Sequence, residues 1–130
     1  MWRLYECSSQ GRAHIKENIP CQDKTCTIER NGVYVISLAD GAGSALMSHF
    51  GAEAVTNIIS IELADNFESY WAESDVKIAR MSIYLRFLNC LRNKASDLHC
   101  EVNDLASTLL AVAVNGNRFI IIHLGDGVVG

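Results

Sequence analysis

Two short β-rich segments, 23–30 and 33–39, lie on either side of Asn31-Gly32. In the first segment polar and apolar positions alternate, as in a strand with one exposed face. The second segment is more continuously apolar, which is typical of a strand that is covered on both sides. Asn-Gly between two such segments is the strongest short-range signal of a β-hairpin. The pattern therefore predicts an antiparallel hairpin whose second strand is central in a sheet.

A second hairpin is predicted near the end of the sequence. Segments 106–114 and 118–124 are rich in Val, Ile and Leu, and Asn115-Gly116-Asn117 separates them. Glycine and asparagine supply the positive φ angles that tight hairpin turns require. The chain therefore makes the same unit twice, with 82 residues between Gly32 of the first turn and Asn115 of the second.

Between the hairpins the apolar period changes from two to between three and four. Apolar residues recur at helical spacing from Met47 to Ile61, which predicts an amphipathic helix with one buried face. Segment 67–73 breaks this period and is interpreted as a connection. Ser74 can cap a second helix that extends to about Asp97. The predicted buried stripe of this second helix comprises Val76, Ala79, Ile83, Phe87, Cys90 and Leu91.

The N-terminal region is read as one strand and one loop. Residues 2–8 mix aromatic, aliphatic and polar side chains and are predicted to form a first strand. The polar stretch that follows, up to Gln22, is predicted to be a loop and contains Pro20, the one proline of the chain.

Composition is that of an ordinary globular chain of one domain or part of one. Its 130 residues are 49% apolar and 20% charged, with a net charge of −4 and no basic run. These values argue against a surface built for nucleic acid or for acidic lipid. No segment approaches the roughly 18 apolar residues of a membrane span, and no signal peptide pattern is present. A cytoplasmic location is predicted.

The cysteines favour a reducing compartment. There are five of them, an odd number without a close pairing pattern. Cys21 and Cys26 are too far apart for a zinc knuckle, and His99-Cys100 is the one His/Cys pair adjacent in sequence. Buried free thiols are therefore favoured over a zinc site.

Candidate chemistry lies where each hairpin's second strand ends. Asp40 directly follows segment 33–39, and Asp126 follows segment 118–124 after one glycine. Asp23 begins the strand that pairs with the one ending at Asp40, so hairpin geometry makes Asp23 and Asp40 neighbours. Crowded carboxylates repel each other unless a cation lies among them, and oxygen ligands suit Mg2+ or Mn2+. Aspartates that only begin turns are the structural alternative.

Glycines after Asp40 raise a second possibility, a nucleotide-binding loop. Gly41-Ala42-Gly43 lies between a predicted strand and a predicted helix. The dinucleotide motif needs glycine or alanine three residues after its second glycine, and Leu46 occupies that position. No Gly-Lys-Ser/Thr motif occurs, and Ser44 lacks the Gly-x-Ser-x-Gly elbow of a serine nucleophile.

Five short motifs, in this order, resemble the metal-dependent protein phosphatases of the 2C type, most closely a bacterial branch. They are Gly11-Arg12-Ala13-His14, Pro20-Cys21-Gln22-Asp23, Ala39 to Ser44, Thr108-Leu109-Leu110 and Gly125-Asp126-Gly127. The resemblance implies an α+β fold, an antiparallel β-sandwich with helices on both outer faces (four layers, αββα). Residues 1–130 would be the N-terminal portion of one such domain, which is incomplete in this chain.

The resemblance also implies a reaction. Two Mn2+ or Mg2+ ions, with a third and weaker ion in bacterial relatives, would hold a bridging water that attacks the phosphorus of phosphoserine or phosphothreonine. Asp40 matches the aspartate that bridges the two metals, and Gly41 the glycine whose carbonyl binds one of them. Asp23 matches an acid near metal-bound water, and Asp126 the aspartate linked to the third metal. Phosphorylated proteins would be the substrates.

The sequence departs from the family pattern in ways that matter. Gln22 stands where many relatives have glutamate, and Asn18 where many have a phosphate-binding arginine. Arg12 or His14 could take over that contact. Two further aspartates that the family needs downstream are missing, so these 130 residues alone are expected to be inactive and to self-associate through exposed strand edges. The alternative is a non-catalytic phosphatase-like module that binds a protein partner.

Overall fold

The computed structural model describes residues 2–7, 23–43, 45 and 47–125. Four strands and three helices follow one another along this part of the chain. In order they are β1 (Asp23–Arg30), β2 (Val33–Asp40), α1 (Ser48–Asp65), α2 (Phe67–Ala72), α3 (Val76–Leu98), a 3-10 turn (Val102–Leu105), β3 (Leu109–Asn115) and β4 (Arg118–Leu124). The strands form one antiparallel sheet in the order β1-β2-β3-β4, so β2 is central as predicted.

Both hairpins close with two-residue turns. Arg30 pairs with Val33, and the intervening Asn31 and Gly32 have φ of 54° and 78°. Two successive positive φ angles are those of a type I′ turn, whose twist matches that of the strands it joins. The first hairpin prediction is therefore confirmed down to its turn.

The second turn is shorter than the three residues that separate the predicted strands. Asn115 pairs with Arg118, so the turn consists of Gly116 and Asn117. Gly116 has φ of 64°, which glycine adopts without steric cost. Asn115 itself belongs to β3.

Helix α1 covers one face of the sheet. The side chains that it buries alternate along β2 and β3, as a two-residue period requires. The fully buried members of this core are Val35, Ala39, Ala111 and Ala113 from the sheet, with Ala52, Ile59 and Leu63 from α1. Ser37 is also buried, and its hydroxyl pairs with the Ser60 hydroxyl at 2.8 Å. The core therefore contains a polar pair that is satisfied from within.

Close contact between α1 and the 3-10 turn depends on Gly51. A Cβ atom at this position would overlap the carbonyl group of Leu105, which is itself buried. The missing side chain lets the helix and the turn approach each other at backbone distance. This contact fixes the segment that leads into β3.

The opposite face of the sheet is uncovered in the described part of the chain. Leu38, Phe119 and Ile121 expose 46, 59 and 45% of their surface there. The α+β class and the antiparallel sheet are confirmed. The described residues form one sheet and one helical layer of the expected four-layer sandwich.

The strand predicted over residues 2–8 is wrong for residues 2–7, which have no regular secondary structure. The indole N–H of Trp2 donates to the carbonyl oxygen of Gly116 at 3.1 Å. A side-chain contact with the second hairpin turn thus holds this segment, instead of backbone pairing with a strand.

The connection predicted over residues 67–73 is also wrong, because Phe67–Ala72 form helix α2. Phe67 is buried, and the guanidinium group of Arg118 lies 5.3 Å from its ring centroid and 5.6 Å from that of Trp71. The same guanidinium donates to both carboxylate oxygens of Glu68, at 2.8 and 2.5 Å. Contacts with a strand that is distant in sequence stabilise this short helix, and the local sequence pattern does not predict them.

Two details of α3 differ from expectation. Its N-cap is Asp75 instead of Ser74, and the Asp75 carboxylate accepts from the backbone N–H of Lys77 at 2.9 Å. The predicted apolar stripe joins the core from Ile83 onward, whereas Val76 in the first turn is 61% exposed. No helix in the described part of the chain is both long enough and apolar enough to cross a membrane.

Candidate active site

Asp23 and Asp40 are direct partners at the open end of the first hairpin. The β1–β2 register pairs them as the last couple of the ladder, at the end away from the turn. Residues directly opposite each other on antiparallel strands have Cβ atoms about 4.5–5.5 Å apart, and two like charges there destabilise the pair. Both residues are exposed. The proximity predicted from hairpin geometry is confirmed, and it brings two carboxylates together at the surface.

Both polar groups of the Asp40 backbone form hydrogen bonds with Thr108. The Asp40 N–H donates to the Thr108 hydroxyl at 3.1 Å, and the Thr108 N–H donates to the Asp40 carbonyl at 2.8 Å. Pairing continues beyond the strand, because Gly41 forms a bridge with Ser107 and the Ala42 N–H donates to Ala106. Asp40 therefore lies within a hydrogen-bonded ladder and not at a frayed strand end.

Gly41 is buried beneath the first residue of α1. A Cβ atom on Gly41 would lie 2.6 Å from the Ser48 hydroxyl oxygen and 2.8 Å from the Ser48 Cβ. Ser48 is fully buried, and its hydroxyl has no hydrogen-bond partner among the residues that the structure describes. The start of α1 thus presses directly on the backbone that follows Asp40, at a separation that only glycine permits.

His49, the next residue of α1, has a perturbed pKa. Burial lowers the pKa of its imidazole, the positive charge of Lys24 lowers it further, and Glu53 opposes both. Lys24 is the neighbour of Asp23 in β1, so His49 belongs to the same end of the sheet. Nothing in the sequence singled out His49, since its only signal is the packing of α1 over β1.

The Gly-Asp-Gly motif begins beside the same threonine. Gly125 has φ of 89°, and a Cβ atom on it would lie 2.8 Å from the Thr108 Cγ2. Leu124, the last residue of β4, pairs with Leu109. Three other predicted site residues, Arg12, His14 and Asp126, lie outside the described part of the chain. Of the predicted set, the structure brings together Asp23, Asp40 and Gly41.

A sequence model of the protein phosphatase 2C family matches residues 10–130. The chain belongs to the protein phosphatase 2C family. It is 27% identical to the serine/threonine-protein phosphatase 3 of Escherichia coli (strain K12), in an alignment that covers 97% of this chain and 51% of the relative. The chain thus spans about half the length of the curated relative that it matches. No solved structure matches the chain.

Phosphatases of the 2C family are metal-dependent, so the donor atoms at this end of the sheet are of direct interest. Asp23 and Asp40 supply carboxylate oxygens, and Gly41 supplies a carbonyl, the kind of donors that Mg2+ and Mn2+ take. Two facing carboxylates also carry a charge that a divalent cation neutralises. These donors fit such an ion in kind. Across residues 2–7, 23–43, 45 and 47–125, however, no group of three or more His, Cys, Asp or Glu side chains gathers in one place.

The cysteines of this family member are free thiols wherever the structure describes them. Cys7 is exposed, and Cys26, Cys90 and Cys100 are half-buried. The prediction of free thiols is confirmed for these four, but the prediction that they are buried is wrong for Cys7 and only partly met by the other three. Burial is the first cause of a raised pKa for the Cys90 thiol, which keeps it protonated.

Proposed function

We propose that this chain is the N-terminal portion of a 2C-type catalytic domain that hydrolyses phosphoserine and phosphothreonine in proteins with Mn2+ or Mg2+. The direct pairing of Asp23 with Asp40 carries this proposal. Family membership and the distant serine/threonine phosphatase support it. The whole protein would be the enzyme, and phosphorylated proteins would be its substrates in the cytoplasm.

The residues divide the work of holding two ions. Asp40 would bridge them, the Gly41 carbonyl would bind one of them directly, and Asp23 would bind through water. When bound, such an ion pair lowers the pKa of a shared water and neutralises charge that develops on the phosphoryl group. The contribution of the protein is position: two hydrogen bonds to Thr108 fix the Asp40 backbone, and Ser48 fixes Gly41.

Three residues outside the described part complete the proposal. Arg12 or His14 would bind the substrate phosphate, because Asn18 occupies the place where many relatives have arginine. Asp126 would bind a third and weaker ion. The motif Gly125-Asp126-Gly127, which resembles that of the family, supports this assignment.

The decisive experiment removes one charge from the full-length protein. Asp40→Asn is expected to lower turnover of a phosphothreonine peptide by about a hundredfold or more at saturating Mn2+, because an amide cannot replace a bridging carboxylate. Asp97→Asn, at an exposed position of α3, is the matched control and should retain wild-type turnover. Circular dichroism checks that both variants are folded. Wild-type turnover by Asp40→Asn would overturn the assignment.

One departure from the family pattern favours a non-catalytic alternative. Gln22 replaces a glutamate of many relatives, which removes one negative charge beside Asp23. A phosphatase-like module that binds a protein partner would not need that charge. Calorimetric titration of the full-length protein with Mn2+ separates the two, because the enzyme must bind Mn2+ in a manner that depends on Asp40, whereas the module need not.

A further inference from the structure

Helix α3 has a second apolar strip on the side that faces away from the core. Ile78, Met81 and Leu85 expose 56, 56 and 55% of their surface, and Leu88 continues the line half-buried. We call these four residues the outer seam. Their spacing of three, four and three residues keeps them on one face of a helix over about 15 Å. The buried Phe87 points to the other side, toward α1.

The same helix is strongly basic. It carries five Lys or Arg, and no acidic residue occurs between Val76 and Ser96. With Asp97 included, α3 has a charge of +4, so the rest of the chain, at a total of −4, has −8. Lys77 adjoins the first end of the outer seam, and Arg92 takes the next seam position after Leu88. An apolar line with a cation at each end is therefore presented to the solvent.

From this pattern we infer that the outer seam binds an acidic amphipathic helix of a partner protein. Apolar residues at alternating intervals of three and four are the pattern by which one helix packs against another. Such a helix lays its own apolar residues along the seam, and its flanking carboxylates meet Lys77 and Arg92. The inference rests on α3 and is independent of the proposed phosphatase site.

Charge argues against a second copy of this chain as the occupant. In a parallel pairing of two outer seams, Lys77 would meet Lys77 and Arg92 would meet Arg92. In an antiparallel pairing, Lys77 would meet Arg92 at both ends. Either arrangement brings like charges together at the ends of the contact, which suppresses association. A helix with acidic flanks neutralises both ends.

Two designed peptides of three heptads test the inference with the full-length protein. Both carry Leu at the two inward positions of each heptad, one with Glu and the other with Lys at the flanking positions. Repulsion among like flanks keeps each peptide from pairing with itself. Fluorescence anisotropy should show binding of the Glu peptide and binding of the Lys peptide that is weaker by about a hundredfold. Equal affinities, or no binding of the Glu peptide, would overturn the inference.

Variants of the protein locate the contact. The double variant Met81→Gln with Leu85→Gln should weaken binding of the Glu peptide by about tenfold or more, because both apolar anchors are lost. Ile61→Gln is the matched control, since Ile61 is an exposed apolar residue of α1. It should leave the affinity unchanged. Lys77→Glu with Arg92→Glu should reverse the preference in favour of the Lys peptide. An affinity that none of these seam changes alters would contradict the proposed site.

Two other occupants are separate outcomes of the same experiment. Light scattering of the full-length protein would reveal a dimer, and sedimentation with vesicles containing anionic phospholipid would reveal membrane binding. The inference would be overturned by a dimer that disappears in Met81→Gln with Leu85→Gln. It would also be overturned by vesicle binding that disappears in this double variant when the Glu peptide does not bind. In either case the outer seam would bind something other than an acidic helix.

Discussion

At the scale of single residues, the clearest constraint is the contact between Gly41 and Ser48. Two atoms of Ser48 lie within 3 Å of the place where a side chain on Gly41 would begin. Interiors of proteins are too densely packed to give way by such an amount without cost. The identity of residue 41 is thus determined by a helix that starts seven residues later.

Gly41→Ala should lower the stability of the full-length protein by about 1–3 kcal/mol, as overpacking of a core does. Ser48→Gly should recover part of this loss in the double variant, because it removes both the hydroxyl and the Cβ that the alanine would strike. Urea unfolding of the two single variants and the double variant measures the coupling. Strictly additive effects would show that the two residues do not press on each other.

His49 provides a pH-dependent measure of the same region. Its pKa is lowered first by burial and then by Lys24, so the folded protein binds the proton less readily than the unfolded chain does. The stability due to neutral His49 is therefore present above the ordinary value of 6.5 and declines as the pH falls toward the folded-state pKa. His49→Gln should remove this part of the pH dependence.

An NMR titration of the His49 imidazole checks the cause. The pKa should lie below 6.5 in the wild type and rise in Lys24→Gln, because that change removes the second contribution to the shift. Lys77→Gln, on α3, is the control and should not move it. A His49 that titrates at or above 6.5 would contradict the burial described for this side chain.

At the scale of elements, Thr108 joins two strands that are distant in sequence. It lies just before β3, yet its backbone and hydroxyl both bond to the last residue of β2. The intervening chain contains all three helices. The position of Asp40 therefore depends on the arrival of β3 beside β2 as much as on the first hairpin.

Thr108→Val should lower the stability by about 1 kcal/mol, because the Asp40 N–H loses its acceptor while the size of the side chain is kept. Thr108→Ser retains the hydroxyl and is the matched control. If Asp40 holds Mn2+ as proposed, calorimetry should also show weaker Mn2+ binding by Thr108→Val than by Thr108→Ser. Equal stability and equal Mn2+ affinity of the two variants would show that the Thr108 hydroxyl does not position Asp40.

The elements that local chemistry determines were predictable from the sequence. The Asn31-Gly32 turn supplies its own positive φ angles, and the pairing of Asp23 with Asp40 follows from it by counting. Helix α2 was not predictable, because Arg118, far along the chain, stabilises it through Phe67. Elements that depend on such distant contacts leave no periodic signal in their own residues.

The candidate site was likewise predictable only in part. The two aspartates could be placed together by strand geometry alone, since both belong to one hairpin. Thr108 was visible only as part of a motif, and its bonds to Asp40 join residues 68 positions apart. Ser48 and His49 gave no signal at all, because they reach the site through the packing of α1 over the sheet.

At the scale of the whole molecule, the uncovered sheet face dominates. Leu38, Phe119 and Ile121 contribute to an apolar surface on which the described chain places no helix. Exposed apolar surfaces of this kind mark places where another layer or another molecule packs. The E. coli relative extends over about twice the length that this chain matches.

The 130-residue chain, made alone, should self-associate and show no Mn2+-dependent phosphatase activity. Two neighbouring divalent cations carry a charge of +4, which the three candidate carboxylates Asp23, Asp40 and Asp126 do not neutralise, so both ions should bind weakly. Phe119→Gln with Ile121→Gln should reduce the association seen by light scattering. Met81→Gln with Leu85→Gln on α3 is the control and should not. Metal-dependent turnover from a stable monomer would contradict both expectations.

The tight turn of the first hairpin governs chemistry that lies a full strand away from it. Every pair of the β1–β2 ladder, from Arg30 with Val33 to Asp23 with Asp40, is set by where the turn begins. One residue inserted between Asn31 and Gly32 would shift this alignment, and a slip of one position sends a side chain to the opposite face of the sheet. Asp23 would then no longer lie across from Asp40. The length of the two-residue turn therefore sets the register at the site. A change in this length would separate the two carboxylates without any change to either aspartate.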